Sequence, residues 1–413
     1  MKKKLLIIGY IWPEPNTTAA GGRMLQLIHF FLERGYKVTF ASTAVESEYS
    51  YNLEQLGVRK STIQLNHSSF DVFIKELDPT VVLFDRFLTE EQFGWKVAEQ
   101  LPNALRILDT EDLHSLRTAR QEAYKRNQPF TIEGWLEMDI TKREIASIYR
   151  SDLSLIISLF EMELLEKTLK INNDILLHLP MMYKAIDSNE RKTWLSFDEK
   201  SDFVCVGNGK HAPNIDAVKK LKKEIWPLIY KKLPKCNLRI YGAYLPNSVT
   251  QLHNPKEGFY IMGHAIDSSE VISRSRLNLA PISFGAGIKG KLLEGMLCGT
   301  PSITTDIGAE GICNAMPWNG GIANDLQTFA NVAIALYENE SEWEKARENG
   351  VSIINSIYDK EALQERFLLK IREIHQSLKK HREQNFVGSM LLHHSFASTK
   401  YLSKWIAEKN KND

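Results

Sequence analysis

Cysteine is scarce in this chain of 413 residues: four, at positions 205, 236, 298 and 313, with no Cys-x-x-Cys pair among them. That spacing fits reduced thiols in a cytoplasmic protein better than a disulfide framework or a zinc site. No apolar run approaches the roughly 20 residues needed to cross a bilayer, so no membrane-spanning helix is expected. An excess of charge of either sign is missing too. Lys and Arg number 52 against 51 Asp and Glu, a net charge of +1, which gives no electrostatic drive toward DNA or toward an acidic membrane as the main partner. No Asp-x-Asp pair stands at a strand end; the nearest thing, Asp109-Thr110-Glu111-Asp112, reads as a short exposed loop rather than a metal cluster. Internal repeats are absent at the level of sequence.

What is present is ordinary for a soluble α/β protein. Hydrophobic residues make up 43% and charged residues 25%, and the length suits about two domains. The opening MKKKLLIIGYIW has the basic residues of a signal peptide, but Pro13, Glu14 and Pro15 cut its apolar run short, and a first buried strand at Leu5 to Gly9 explains it better. A loop carrying Gly21-Gly22 follows, then helical spacing from Arg23 to Arg34 and a strand from Lys37 to Ser42. This strand–loop–helix–strand unit implies a parallel sheet with ligands at the carboxyl ends of its strands. Short apolar runs recur at 80–85, 104–109 and 153–158, and the charged stretch from His114 to Arg150 reads as helical.

Residues 181–200 loosen into polar, uneven sequence and are read as an interdomain linker. The pattern then restarts: a strand from Phe203 to Gly207, a loop with Gly207, Gly209, Lys210 and His211, and a helix opened by Pro213-Asn214. The expected organisation is a first domain over 1–185, a second over 200–370 and a helical tail over 371–413. The tail ends in Tyr401, Leu402, Trp405 and Ile406, which should pack back on the first domain; the basic cluster Lys379-Lys380, His381-Arg382 allows a peripheral membrane contact instead.

The richest segment is Pro281 to Ile312, PISFGAGIKGKLLEGMLCGTPSITTDIGAEGI. A strand from Leu277 to Ile282 empties into a glycine loop (Gly285, Gly287, Gly290) bearing Lys289 and Lys291. A helix with Leu292, Leu293, Met296 and Leu297 on one face follows, closed by Gly299. Glycines, lysines and a helix N-terminus make an anion site, because unpaired N–H groups and the helix dipole face the ligand. Glu294, one turn inside the helix, can accept hydrogen bonds from ribose or sugar hydroxyls. A phosphate joined to a polyol is the implied ligand.

This segment resembles the donor-binding signature of the two-domain GT-B glycosyltransferases, especially the retaining group numbered family four. Gly21-Gly22, RGYKVTFAS, VGNGKHAPNIDAV, DTEDLHSLR, REIASIYRSDLSLIISLFEMELL and TTDIGAEGI extend the likeness over most of the chain. The resemblance implies two doubly wound Rossmann-like domains facing a cleft. It implies transfer of a hexose from a nucleotide-diphosphate sugar to a hydroxyl acceptor, retaining and metal-independent, with no cofactor beyond the donor. The acceptor class stays open among glycan, lipid carrier, protein and modified RNA. Carried over by residue, Glu294 meets the ribose, and Gly287 and Ile288 offer backbone to the donor phosphates. Lys291, and with it Lys289, neutralises the departing diphosphate, and Gly21 and Gly22 approach from the first domain. Gly207 and His211 line the second-domain loop, where His211 either touches phosphate or caps the helix at Asn214.

Two departures stand out. A family glutamate eight positions before Glu294 that meets the donor sugar is here Ala286. The histidine that many relatives carry before the strand-end aspartate is here Glu111, preceding Asp112, and His114 is the candidate substitute, at the sugar or at the acceptor hydroxyl, or else a satisfied helix-start histidine. Asp112, His114 and Lys291 are the expected catalytic groups. The alternatives are a non-catalytic nucleotide-sugar-binding subunit, for which Ala286 and Glu111 mark lost chemistry, and a sugar-nucleotide epimerase on the same architecture.

Overall fold

The structure, a computed structural model, describes residues 3–409. Seven strands form the first sheet: β1 (Lys4–Gly9), β2 (Lys37–Ser42), β3 (Arg59–Thr62), β4 (Val81–Asp85), β5 (Leu105–Asp109), β6 (Leu153–Ile156) and β7 (Leu176–His178). Their order is β3-β2-β1-β4-β5-β6-β7, and every pairing is parallel. The strands read as unbroken apolar runs because both faces of the sheet are covered. Leu5, Ile7, Leu83 and Ile107 enter one core with Phe30, Phe31 and Phe40. Their chain neighbours Leu6, Ile8, Phe84 and Leu108 enter the other, with Phe70, Phe93 and Trp135. Strand order reverses between β1 and β4, which makes that crevice the switch point of the sheet.

The second sheet has six parallel strands: β8 (Ser201–Val206), β9 (Leu238–Tyr241), β10 (Phe259–Gly263), β11 (Ser275–Ala280), β12 (Ser302–Thr304) and β13 (Gly320–Ile322). They run in the order β10-β9-β8-β11-β12-β13, with the switch point between β8 and β11. Edge strands escaped the sequence reading. β3 is RKST and β13 is GGI, both without the apolar run that marks a buried strand.

Gly21 and Gly22 were expected in a loop and lie instead in the first turn of the helix Ala19–Glu33, whose N-cap Thr18 accepts a hydrogen bond from the Gly21 N–H. Gly290 likewise opens the helix Gly290–Leu297. The stretch from His114 to Arg150 is three helices, His114–Lys125, Ile132–Glu137 and Asp139–Arg150.

The segment 181–200 joins the two sheets and is anchored at both ends. The Tyr183 N–H donates to Tyr358 O at 2.8 Å, and the Ile186 N–H to Asn355 Oδ1 at 2.7 Å. Lys200 is buried, its ammonium donating to Cys298 O (2.9 Å), Gly299 O (2.8 Å) and Thr300 Oγ1 (2.7 Å). A cation there satisfies carbonyls at the end of the helix Gly290–Leu297. Polar residues with fixed partners look, in sequence, like a linker.

The chain re-enters the first domain at Lys360, ahead of residue 371. In the helix Lys360–Gln376, Leu363, Phe367, Ile371 and Ile374 complete the first-domain core, with Phe367 4.6 Å from Phe30 ring to ring. Beyond it, Arg382 pairs with Asp152 (2.7 Å), His381 meets Asp152 O (2.7 Å), Asn385 donates to Tyr149 O (2.7 Å) and Lys400 pairs with Glu99 (3.0 Å). Of the basic cluster at 379–382, His381 and Arg382 are therefore anchors to the first domain. The last helix, Phe386–Lys409, lies on the first-domain helices Phe87–Gln100 and Asp139–Arg150; of the residues expected to pack there, Tyr401, Leu402 and Trp405 are exposed and Ile406 is half-buried. Among the described residues no helix is long and apolar enough to cross a membrane.

Candidate active site

The carboxyl ends of the two sheets face each other across a cavity of about 520 Å³. From the first domain it is lined by the turn and helix start after β1 (Pro15 to Ala20, and Gly22), by Arg86 after β4, and by Glu111, Asp112 and Arg117 after β5. From the second come Gly207 to Asn214 after β8, Ser268, and the loop and helix from Ile282 to Glu294.

Two helix N-termini meet here. A Cβ at Gly290 would lie 2.5 Å from Ala19 Cβ, so the starts of Ala19–Glu33 and Gly290–Leu297 approach each other across the cleft. Both present the positive end of a helix dipole to the same space, an arrangement built for an anion. Lys291 adds a cation. Its Nζ donates to Asn214 Oδ1 at 2.7 Å, and burial depresses its pKa. Gly207 makes room for it: a Cβ there would be 2.8 Å from Lys291 Nζ and 2.6 Å from Asn214 Cγ.

Lys289 also lines the cavity, but its Nζ bonds Gly287 O at 2.9 Å and bolsters the loop. Burial pushes its pKa down to about 8, against the pull of Glu310 and Glu161. Gly287 has φ +65°, and a Cβ on it would be 2.7 Å from Asp112 Cβ. Its N–H does not point freely at a ligand; it donates to Glu161 Oε1 at 2.8 Å. Ile288 is buried against Leu292 and Ile157 and lines the cavity. The Glu294 carboxylate also lines it and accepts a short hydrogen bond from Ser268 Oγ; burial raises its pKa. Gly22 lines the cavity and has open space where a side chain would go, whereas Gly21 backs onto the main chain of Glu14 and does not line it.

Asp112 faces the cavity and pairs with Arg117 at 2.7 Å. Burial alone would raise its pKa, but Arg117, His114, Arg86 and His211 outweigh that and keep it below the usual carboxylate range. His114 does not line the cavity. It lies behind Asp112, Nε2 3.4 Å from the carboxylate, and burial pushes its pKa down to about 4. His211 lines the cavity and makes no side-chain cap to the helix Ala212–Lys220; Asn214 bonds Lys291 and Asn208 O instead of capping.

Sequence reasoning missed Arg86, Arg117 and Glu161. Arg117 and Glu161 lie in segments that carry the resemblance, DTEDLHSLR and REIASIYRSDLSLIISLFEMELL, but only the meeting of separate strand ends singles out these side chains and Arg86. Glu111, noted only as a departure, has φ +63°, lines the cavity, and is pushed up to about 8 by burial and then by Asp109. The two walls are also tied directly: Arg120 binds Glu310 at 2.7 and 2.8 Å and Gly285 O at 2.9 Å, and Tyr124 Oη donates to Asp216 at 2.9 Å.

Residues 200–339 match the family model described as Glycosyl transferases group 1. No curated protein matches the sequence. Among solved structures, sucrose-phosphate synthase from Thermosynechococcus elongatus superposes with a TM-score of 0.65 at 15% identity, over 91% of this chain and 100% of that one. TarM of S. aureus superposes at 0.67 and 10%, over 90% and 99%. HepE of Anabaena, in complex with UDP-glucose, superposes at 0.64 and 12%, over 90% and 99%. The chain has the two-domain GT-B architecture of these glycosyltransferases, and residues 200–339 of its second domain carry the group 1 family match.

Proposed function

We propose that the chain moves a hexose from a nucleoside-diphosphate sugar to an acceptor hydroxyl, with retention of configuration and without a divalent metal. The observation that carries this reading is the convergence of two helix N-termini and the Lys291 ammonium on one cavity. In the transfer, the bond from sugar C1 to the diphosphate oxygen breaks and a bond from C1 to the acceptor oxygen forms. The acceptor proton passes to the departing phosphate oxygen. Negative charge builds on that oxygen as the sugar becomes oxocarbenium-like, and fixed positive groups lower the barrier most where charge develops.

Lys291 and the start of the helix Gly290–Leu297 hold the diphosphate, and Glu294 takes the ribose hydroxyls. Gly22, at the start of the helix Ala19–Glu33, faces the same group from the first domain. Asp112, kept ionised by Arg117, accepts hydrogen bonds from sugar or acceptor hydroxyls. His114 acts through Asp112 as a positioning residue rather than touching substrate. With Ala286 in the loop, a carboxylate contact to the sugar from that position is missing, so other groups select the hexose. Solved neighbours crystallised with UDP-glucose and with UDP and GlcNAc make UDP-glucose and UDP-GlcNAc the first donors to test.

Calorimetric titration with UDP, GDP and ADP should give one clear binder, and the matching sugar nucleotide should be hydrolysed slowly without acceptor. No binding of any nucleotide would overturn the reading. Lys291→Ala should cut turnover by about 10²-fold, the order seen when one charge-stabilising donor is removed. Unchanged turnover would remove the lysine from the leaving-group site. Full activity in EDTA and an α-anomeric product from an α-linked donor, followed by NMR, test the remaining parts.

A further inference from the structure

Arg86 occupies a backbone conformation that its residue type avoids. It follows β4 at φ +70°, ψ 155°, a region populated almost solely by glycine. Its N–H donates to Asp109 O at 2.8 Å, which pins the peptide and turns the side chain toward the cavity. The guanidinium has five donors and, among the described residues, makes no hydrogen bond with any of them. Asp85 is 3.7 Å away and the Tyr10 ring 5.2 Å from it, while the side chain is only 13% exposed. A nearly buried cation without a hydrogen-bonded partner is costly unless a ligand supplies one.

Carboxylates stand near it without hydrogen-bonding it: Asp85, whose Oδ2 accepts from the Tyr10 N–H at 3.0 Å, Glu111, and Asp112, which is bonded to Arg117. Arg117, on the same wall, spends Nη1 on Asp112 and, among the described residues, makes no hydrogen bond with its other donors. Arg86 and Arg117 stand on the first-domain wall of the cavity and Lys291 on the second-domain wall, with Glu294 near Lys291 and with Asp85, Glu111 and Asp112 near Arg86. Arg86 stands beside the β1–β4 switch point, where the first sheet receives ligands.

We infer that Arg86, with Arg117, forms a second anion subsite, and that the acceptor carries a phosphate or carboxylate group that binds there. The inference rests on the glycosyltransferase reading, which places the acceptor on the first domain. The strained backbone then has a purpose: it aims the guanidinium where a smaller or relaxed residue would not reach.

The test uses the full chain saturated with whichever of UDP, GDP and ADP it binds, so that the diphosphate site is filled, at constant ionic strength. Inorganic phosphate and glucuronate are titrated by calorimetry, one for each anion type. Either should bind in the wild type, the tighter one identifying the acceptor's group. Arg86→Gln should weaken it at least tenfold and Arg86→Lys less. Arg86→Gly should lose the anion yet melt no lower than the wild type, because glycine relieves the strain. Anion binding that is absent from the nucleotide complex, or equal in Arg86→Gln, overturns the inference while leaving the donor site intact. Failure to bind any of UDP, GDP and ADP overturns the underlying reading instead. A fall in melting temperature for Arg86→Gly would show that the arginine is structural, and would also overturn the inference.

Discussion

Glu161 is fully buried, and its Oε1 accepts from the N–H of Leu113 (3.2 Å) in its own domain and of Gly287 (2.8 Å) in the other, while Oε2 has no partner. Burial, then the nearby Asp112 charge, pushes its pKa up to about 8, with the two N–H groups and Lys289 pulling the other way. Folding therefore favours the protonated acid. A carboxyl whose folded pKa is raised adds stability below its unfolded value and loses it as pH climbs through the folded one. The window runs from the usual carboxylate range to about 8. Glu161→Gln keeps the acceptor oxygen and abolishes the titration, so the melting temperature of the wild type should fall relative to this variant between pH 5 and 9. Glu111 and Glu144, pushed up to about 8 and about 7, add slope to both proteins and cancel in the difference. Parallel melting curves would show that Glu161 does not titrate in this window.

The loop from Gly285 to Lys289 and the helix behind it were the most legible elements in the sequence, and the reason is local. Glycines that relax the backbone, a run of apolar residues at helical spacing and a terminating Gly299 all act within a few residues of one another. Strand ends such as Val81–Asp85 were legible for the same reason, since burial on both faces leaves a continuous apolar signature. Arg86 and Glu161 were not legible, because what they do is set by elements tens of residues away. Gly287 spans both cases. Its sequence suggested an anion loop with backbone offered to phosphate, while the structure shows φ +65° and a first-domain aspartate where a methyl would go. Gly287→Ala thus meets two obstacles, the left-handed backbone, which costs an L-residue roughly 1–2 kcal/mol, and the contact with Asp112. It should lower the melting temperature and reduce turnover more than nucleotide affinity, because the loop's seat against the first domain is disturbed while Lys291 and Glu294 stay on their helix. Equal losses in turnover and in UDP binding would place the damage in the second domain itself.

At the level of the whole molecule the two domains share their chain twice, at 181–200 and again at Tyr358–Lys360, where the Lys360 N–H donates to Tyr183 O at 2.8 Å. The second crossing hands the helix Lys360–Gln376 to the first domain. Phe367 is wholly buried there, 4.6 Å from Phe30 and 6.0 Å from Phe31. A tail that completes a core is more than an appendage, because removing it leaves a cavity lined by Leu27, Phe30 and Phe31. Phe367→Ala should therefore destabilise the first domain by about 3–5 kcal/mol, the usual cost of a deleted core phenylalanine. The second domain has a separate core around Phe203, Trp226 and Trp343, and nothing in that core touches Phe367. Hydrogen exchange should accordingly lose protection in β1, β2 and the helix Ala19–Glu33 while β8, β9 and β11 keep theirs. Nucleotide binding through Lys291 and Glu294 should survive, because those residues stand on the second domain. Uniform loss of protection across both sheets would mean instead that the two crossings fuse the halves into one cooperative unit.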